Sequence, residues 1–351
     1  MTLIKPLPSR SLALWLFACC ALIIAMVIIG AITRLTESGL SIVEWHAASD
    51  MLPPLSHGAW LEAFQKYQTS PQYKDINAGM SLGDFKAIYF WEWLHRLLGR
   101  LVGLVYALPL IVFWLRGKIP SALKPRFVFF LFLGGLQGAI GWYMVKSGLV
   151  NEPRVSHYRL ALHLCTALLL LVLLWLQALQ LSPRARQLAH NYSTVYLQKY
   201  KAHGVAALSI ICITIIWGAF VAGLRAGMEY NEFPTMGGKL IPGELLFLHP
   251  WWLNFLNNHA AVQWLHRVLG TLSFLTVFSF GIHAYWSRNY LLRNCGIVLM
   301  ALITLQFMLG VSTLLSRVAI PLAALHQSGA MATLLTVVTT LAFLFYKRDR
   351  A

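Results

Sequence analysis

Residues 90–101, FWEWLHRLLGRL, return almost unchanged at residues 262–272 as VQWLHRVLGTL. Each copy sets a His-Arg pair and a glycine where an apolar stretch is expected to begin. The shared heptapeptide WLHR(L/V)LG stands at 93–99 and 264–270, an offset of 171 residues. In the next apolar run, Leu136-Gln137 and Gly141 match Leu305-Gln306 and Gly310, an offset of 169. LALH at 160–163 then resembles AALH at 323–326, an offset of 163, and GAITRL at 30–35 pairs more weakly with GAFVAGL at 218–224. Repetition in this order signals a duplicated structural unit.

The chain has 351 residues, 58% hydrophobic and only 11% charged. Soluble domains are about one quarter charged, so this composition indicates a membrane protein. Spanning hydrocarbon takes about 20 apolar residues at about 1.5 Å each. Eight such runs occur, near 12–33, 94–115, 127–146, 157–180, 204–224, 263–283, 294–315 and 321–345. The expected fold is an all-α membrane protein whose eight transmembrane helices form two four-helix bundles. An even number of spans per unit makes the repeats parallel, related by a pseudo-twofold along the membrane normal. The expected units are 1–180, a basic, Pro-containing cytoplasmic linker at 181–203, and 204–351. Two long external segments, 34–91 and 225–262, are expected to cap the outer leaflet.

The formal charge of +16 reports topology and not a nucleic-acid partner. Fifteen Lys and Arg residues, running from Lys5 and Arg10 through Arg116, Arg184 and Arg288 to Lys347, Arg348 and Arg350, fall on one side, with Asp349 as its one acid. Glu37, Glu44, Asp50, Glu62, Asp75, Asp84, Glu152, Glu229, Glu232 and Glu244 fall on the other. The positive-inside rule places both termini in the cytoplasm. The apolar run after Lys5 and Arg10 is too long for a signal-peptide core, so an uncleaved first helix is expected. All five cysteines lie within expected spans and read as small apolar fillers.

Of twelve histidines, four belong to the repeat: His95, His163, His266 and His326. Each is expected in the first one or two turns of a helix entering from outside, at a similar depth. Facing imidazoles from two helices of a bundle are what axial ligation of a haem iron requires. Gly99 and Gly270, four residues on, leave room for a flat macrocycle near the backbone. Arg96 and Arg267 reach propionates, lipid phosphates or neighbouring carbonyls. A lone interfacial histidine is often a snorkelling residue, but four in register argue against that. Zinc fits less well, because two separated pairs lack further ligands. Arg34 and Arg225, at outer helix ends, are further propionate candidates. His46, His57, His157, His190, His203, His249, His259 and His283 have no repeat partner.

The halves differ at one position. Glu92 stands three residues before His95, and Gln263 three before His266. A carboxylate beside a haem at a membrane boundary suits proton transfer or stabilisation of positive charge, which Gln cannot provide. The first half therefore reads as catalytic and the second as a plain electron-transfer site. A simpler role for Glu92 is a salt bridge to Arg96 at i+4.

GAITRLTESGLSIVEW (30–45), SPQYKDINAGMSLGDFKAIYFWEWLHRLLGR (70–100), GAFVAGLRAGMEYNEFPTM (218–236) and ALHQSGA (324–330) resemble the haem A synthase family over nearly the whole chain. The resemblance is to the proteobacterial and mitochondrial branch, since 34–91 lacks the external-loop cysteine pair. It implies an inner-membrane oxidoreductase that oxidises the C8 methyl of haem O to a formyl group, giving haem A for cytochrome c oxidase. It further implies haem b (iron protoporphyrin IX) on His266 and His326, the substrate haem between His95 and His163, and Glu92 as the essential carboxylate. A haem O synthase, an electron donor or acceptor, oxidase assembly and a homo-oligomer are the partners it suggests. The main alternative is a diheme, cytochrome b-like electron carrier or quinol oxidoreductase. A transporter is third, because the repeated polar residues cluster at one boundary and not at mid-membrane.

Overall fold

The computed structural model describes residues 9–44, 51–148, 155–190 and 198–345. Lys5, His46, Asp50, Glu152, Lys347, Arg348, Asp349 and Arg350 lie outside the described residues, as does 191–197 of the linker. Among the described residues eight helices are long and apolar enough to cross a membrane. They are α1 (Arg10–Leu35), α2 (Leu82–Leu115), α3 (Lys124–Gly148), α4 (His157–Leu181), α5 (Gln198–Leu224), α6 (His259–Tyr285), α7 (Tyr290–Leu315) and α8 (Ile320–Phe345). Helices are the expected solution in hydrocarbon, where each backbone polar group needs an internal partner.

The bounds fall close to the expected spans, with one exception. Helix α2 begins twelve residues before the expected 94, where Ser81 and Asp84 form a reciprocal capping box. His95 therefore sits more than three turns into its helix and not in the first one or two. The outward extension is held by aromatic packing from the preceding segment. Phe85, fully buried, lies 5.0 Å from the Phe64 ring and stacks on Tyr67 at 5.2 Å. Phe64 and Tyr67 belong to a short helix, His57–Gln68, capped by Ser56 and followed by Pro71–Asp75, capped by Ser70. Both short helices fall within 34–91, the stretch expected to cap the outer leaflet.

In the first half α1 packs on α2 and α4, and α3 on α4, whereas α2 and α3 touch sparingly. In the second half α5 packs on α6 and α8, and α7 on α6 and α8. Between the halves α1 meets α8, α4 meets α5, and α4 meets α8. Apolar side chains of α1, α4 and α8, including Leu16, Leu171 and Val338, form the shared core. Trp175 Nε1 adds a hydrogen bond of 2.8 Å to Thr339 Oγ1 across it. Helices α6 and α7 approach through glycine: a Cβ on Gly281 would stand 2.9 Å from the Gly296 carbonyl oxygen. Small residues allow such backbone proximity in membranes. Within the stretch read as linker, Pro183–His190 is helical and α5 already begins at Gln198.

Candidate haem-binding site

A cavity of about 1330 Å³ is lined by all four repeat histidines and by residues of all eight helices. Small-molecule pockets typically run about 300–1,000 Å³, so this volume suits more than one ligand or a very large one. His95 and His163 lie within electrostatic reach of each other, as do His266 and His326. All four are half-buried, and the cavity lies against them.

Each imidazole rests on a glycine of the neighbouring helix. A Cβ added to Gly30 would stand 2.9 Å from His95 Cε1, and one on Gly141 also 2.9 Å from His163 Cε1. The same construction on Gly218 gives 3.0 Å to His266 Cε1, and on Gly310 gives 2.8 Å to His326 Cε1. All four distances are below ordinary van der Waals contact, so only glycine admits the rings as they stand. These four glycines fix which way each ring faces. Sequence reasoning assigned them no role, although all four sit in the repeat register. Gly99 and Gly270, the expected macrocycle positions, also line the cavity; a Cβ on Gly270 would meet nothing within 4 Å.

In the second pair, the backbone four residues before each glycine offers a carbonyl to the ring. His326 Nδ1 lies 3.2 Å from the Gln306 carbonyl oxygen. His266 Nδ1 faces the Thr214 carbonyl outside strict hydrogen-bond geometry. Near His163 the Gln137 amide intervenes, 3.1 Å from Nδ1, while Thr166 Oγ1 donates to Gln137 Oε1 at 2.5 Å. Gln137 and Gln306 are the repeated Leu-Gln pair, a second signal present in the sequence without an assigned role. His95 Nδ1 is buried with no hydrogen-bond partner among the described residues. Holding Nδ1 against the helix wall turns the other ring nitrogen toward a ligand.

Glu92 is 3% exposed. Its Oε1 accepts from Arg96 at 2.7 Å, and its Oε2 accepts from the Ser41 hydroxyl and the Ile42 amide, both at 2.7 Å. The simple i+4 salt bridge is therefore present, within a three-donor network. Gln263, 2% exposed, donates to the Tyr230 carbonyl at 3.1 Å and leaves Oε1 buried without a partner among the described residues. The two arginines grip the external segments. Arg96 donates to the Ile42 carbonyl at 3.0 Å, and Arg267 to those of Tyr230, Glu232 and Thr235 at 2.9, 2.8 and 2.9 Å. Contacts to neighbouring carbonyls, one of the destinations expected for them, are made, and both arginines also line the cavity.

Arg34 donates to the Ala222 carbonyl at 2.7 Å, joining the end of α1 to the end of α5. Arg225 pairs with Glu37, and burial pushes its guanidinium below its usual range. His259 pairs with Glu229 and is absent from the cavity wall. The five cysteines are free. Among the described residues no cluster of three or more His, Cys, Asp or Glu side chains is arranged to hold a metal ion directly. Paired imidazoles, glycine cradles and a large, mostly apolar cavity fit a flat iron macrocycle with two axial ligands.

The COX15-CtaA family, described as cytochrome oxidase assembly protein, matches residues 13–338. A protein of Rhodospirillum centenum named heme A synthase is 48% identical over 92% of this chain and 85% of its own length. The heme A synthase of Nitrosospira multiformis is 42% identical over 92% and 90%. That of the Wolbachia of Brugia malayi is 43% identical over 97% and 98%. The paired histidines on their glycines thus lie in a chain that belongs to the COX15-CtaA family of cytochrome oxidase assembly proteins.

Proposed function

We propose that this chain is a haem A synthase, a multi-pass inner-membrane oxidoreductase with both termini in the cytoplasm. Its substrate is haem O, held between His95 and His163, and its product haem A carries a formyl group in place of the C8 methyl. A resident haem b is held by His266 and His326. The observation that carries the reading is the difference between two otherwise matched pockets. Both have paired imidazoles on glycine and an arginine gripping an external segment; only the first has a buried carboxylate one turn from its histidine.

When bound, haem b supplies one-electron redox chemistry. The protein's part is positioning. Gly218 and Gly310 set the two ring planes of the second pocket, and Gly30 and Gly141 those of the first. Ser41, the Ile42 amide and Arg96 fix the Glu92 carboxylate, so that it is preorganised to move a proton or to steady positive charge at the substrate. Gln263 has neither capacity. The exchanged contacts between halves, α1 with α8 and α5 with α4, support two parallel four-helix units about a pseudo-twofold. The reading implies a haem O-making enzyme upstream, an electron partner and delivery to cytochrome oxidase assembly.

Pigment extraction from the purified protein tests this. Haem O or haem A together with haem b is expected. Haem b alone, at two per chain, would replace the synthase with an electron carrier.

A further inference from the structure

Resting on the assignment of the first pocket to the substrate porphyrin, we infer that this pocket continues into an apolar channel between α2 and α3. The channel takes the porphyrin's long hydrocarbon tail and opens sideways to the lipid. The second half serves as an internal control, because the repeat offsets pair its positions one by one with those of the first.

In the second half the cavity stops at Ile211, Ser273, Ile303 and Thr333. In the first half it reaches Cys19, Tyr106, Phe130 and Leu174. Aligned by the offsets, this is four residues further on every one of the four helices, one turn or about 6 Å. The second-half residues at the deeper level, Ala207, Val277, Leu299 and Val337, are wholly buried. Cys19, Tyr106, Phe130 and Leu174 are buried as well, and the difference is that the cavity reaches them and not their second-half counterparts.

The seam differs in the same sense. The rings of Phe274 of α6 and Phe307 of α7 meet at 5.1 Å between centroids, tilted by 41°, and plug the second half. Their aligned positions are Gly103 of α2 and Gly138 of α3, where a Cβ would meet nothing within 4 Å. Gly134 and Gly135 are equally open. One level further, the close-packed Gly281 and Gly296 are replaced by the buried Leu110 and Phe127, the latter packed on Trp15 of α1 at 5.6 Å. Large residues at one end and missing side chains in the middle keep the seam apart.

The walls specify the ligand's chemistry. Val102, Phe130 and Leu131 offer no polar atom, and the Tyr106 hydroxyl is engaged with the Phe127 carbonyl at 2.8 Å. Leu104, Leu108 and Phe132 are exposed along the same two helices. A hydrocarbon chain satisfies the stretch from Val102 inward and a propionate does not, while Arg100 of α2, which also lines the cavity, bounds that stretch on the histidine side.

The test titrates two probes into the purified full chain: haem O, which bears the tail, and iron protoporphyrin IX, which lacks it. Binding to the first pocket is read by absorbance. In the wild type the tail-bearing probe is expected to bind at least about tenfold more tightly, as loss of two or three buried methylenes would cost. Gly103→Phe with Gly138→Phe installs the second-half plug and is expected to erase that preference while tailless porphyrin still binds. Gly103→Ala with Gly138→Ala, which adds only a methyl at each open site, is expected to fall between. Helical circular dichroism and gel filtration verify folding. A plugged variant that keeps the preference overturns the channel, as do equal affinities in the wild type, which would mark a seam filled by lipid chains. Failure of haem O to bind the first pocket overturns the substrate assignment itself, and the channel with it.

Discussion

Replacing Gly310 by alanine tests the glycine cradles directly. The new methyl carbon would stand 2.8 Å from His326 Cε1, and ordinary contact begins near 3.4 Å. The ring must therefore retreat by about 0.6 Å, or α7 and α8 must separate by as much, at a cost of about 1–3 kcal/mol for overpacking. Metal–ligand distances tolerate only about 0.2 Å, so a shift three times larger strains or breaks coordination. Gly218→Ala acts on His266 in the same way, from a starting distance of 3.0 Å. The assay is absorbance and electron paramagnetic resonance of the haem proposed for His266 and His326 in purified variants, with pigment content measured alongside. Weakened axial ligation or haem loss is expected for both, larger for Gly310→Ala. A bis-imidazole spectrum unchanged in both variants would refute the claim that these glycines set the rings.

Glu92→Ala leaves Arg96, the Ser41 hydroxyl and the Ile42 amide without their acceptor, and breaking a buried pair costs about 3–5 kcal/mol. It is expected to loosen residues 41–44 to proteases and abolish haem A formation, with haem b retained. Glu92→Gln keeps two acceptor contacts, so it should preserve the protease resistance while still losing haem A; normal haem A in Glu92→Gln would remove the carboxylate from the chemistry. Gly296→Ala drives a methyl to within 2.9 Å of the Tyr285 amide nitrogen, and a lowered unfolding temperature in detergent is expected; an unchanged one would mean that α6 and α7 separate freely. Lys66 holds the exposed Glu62 carboxyl below its usual 4.5, and Glu62 in turn raises Lys66 above 10.5. The pair supports the helix His57–Gln68 between those values. Its contribution fades as pH falls through the depressed carboxyl or rises through the raised ammonium. Amide exchange in that helix should show this small, salt-sensitive window, absent in Lys66→Met.

What was legible in the sequence was periodic or repeated. Span positions follow from apolar runs, and the four histidines from their register. The Glu92/Gln263 difference is visible because the flanking heptapeptides align. The start of α2 was not legible, since AIYFWEW looks like interfacial loop until the Ser81–Asp84 cap and the Phe85 packing are known. The glycines under the rings were visible as repeat members but without a role, because contact between successive helices depends on how each is rotated. Arg96 and Arg267 show the same limit: their contacts to backbone carbonyls of segments distant in sequence depend on how the chain folds back on these helices.

Glu37 and Arg225 occupy corresponding places at the ends of α1 and α5, and they pair with each other. A molecule assembled from two copies of either half would set carboxylate against carboxylate there, or guanidinium against guanidinium. The clasp exists only because the copies have diverged in opposite directions. A symmetric pair of identical units could not make this contact.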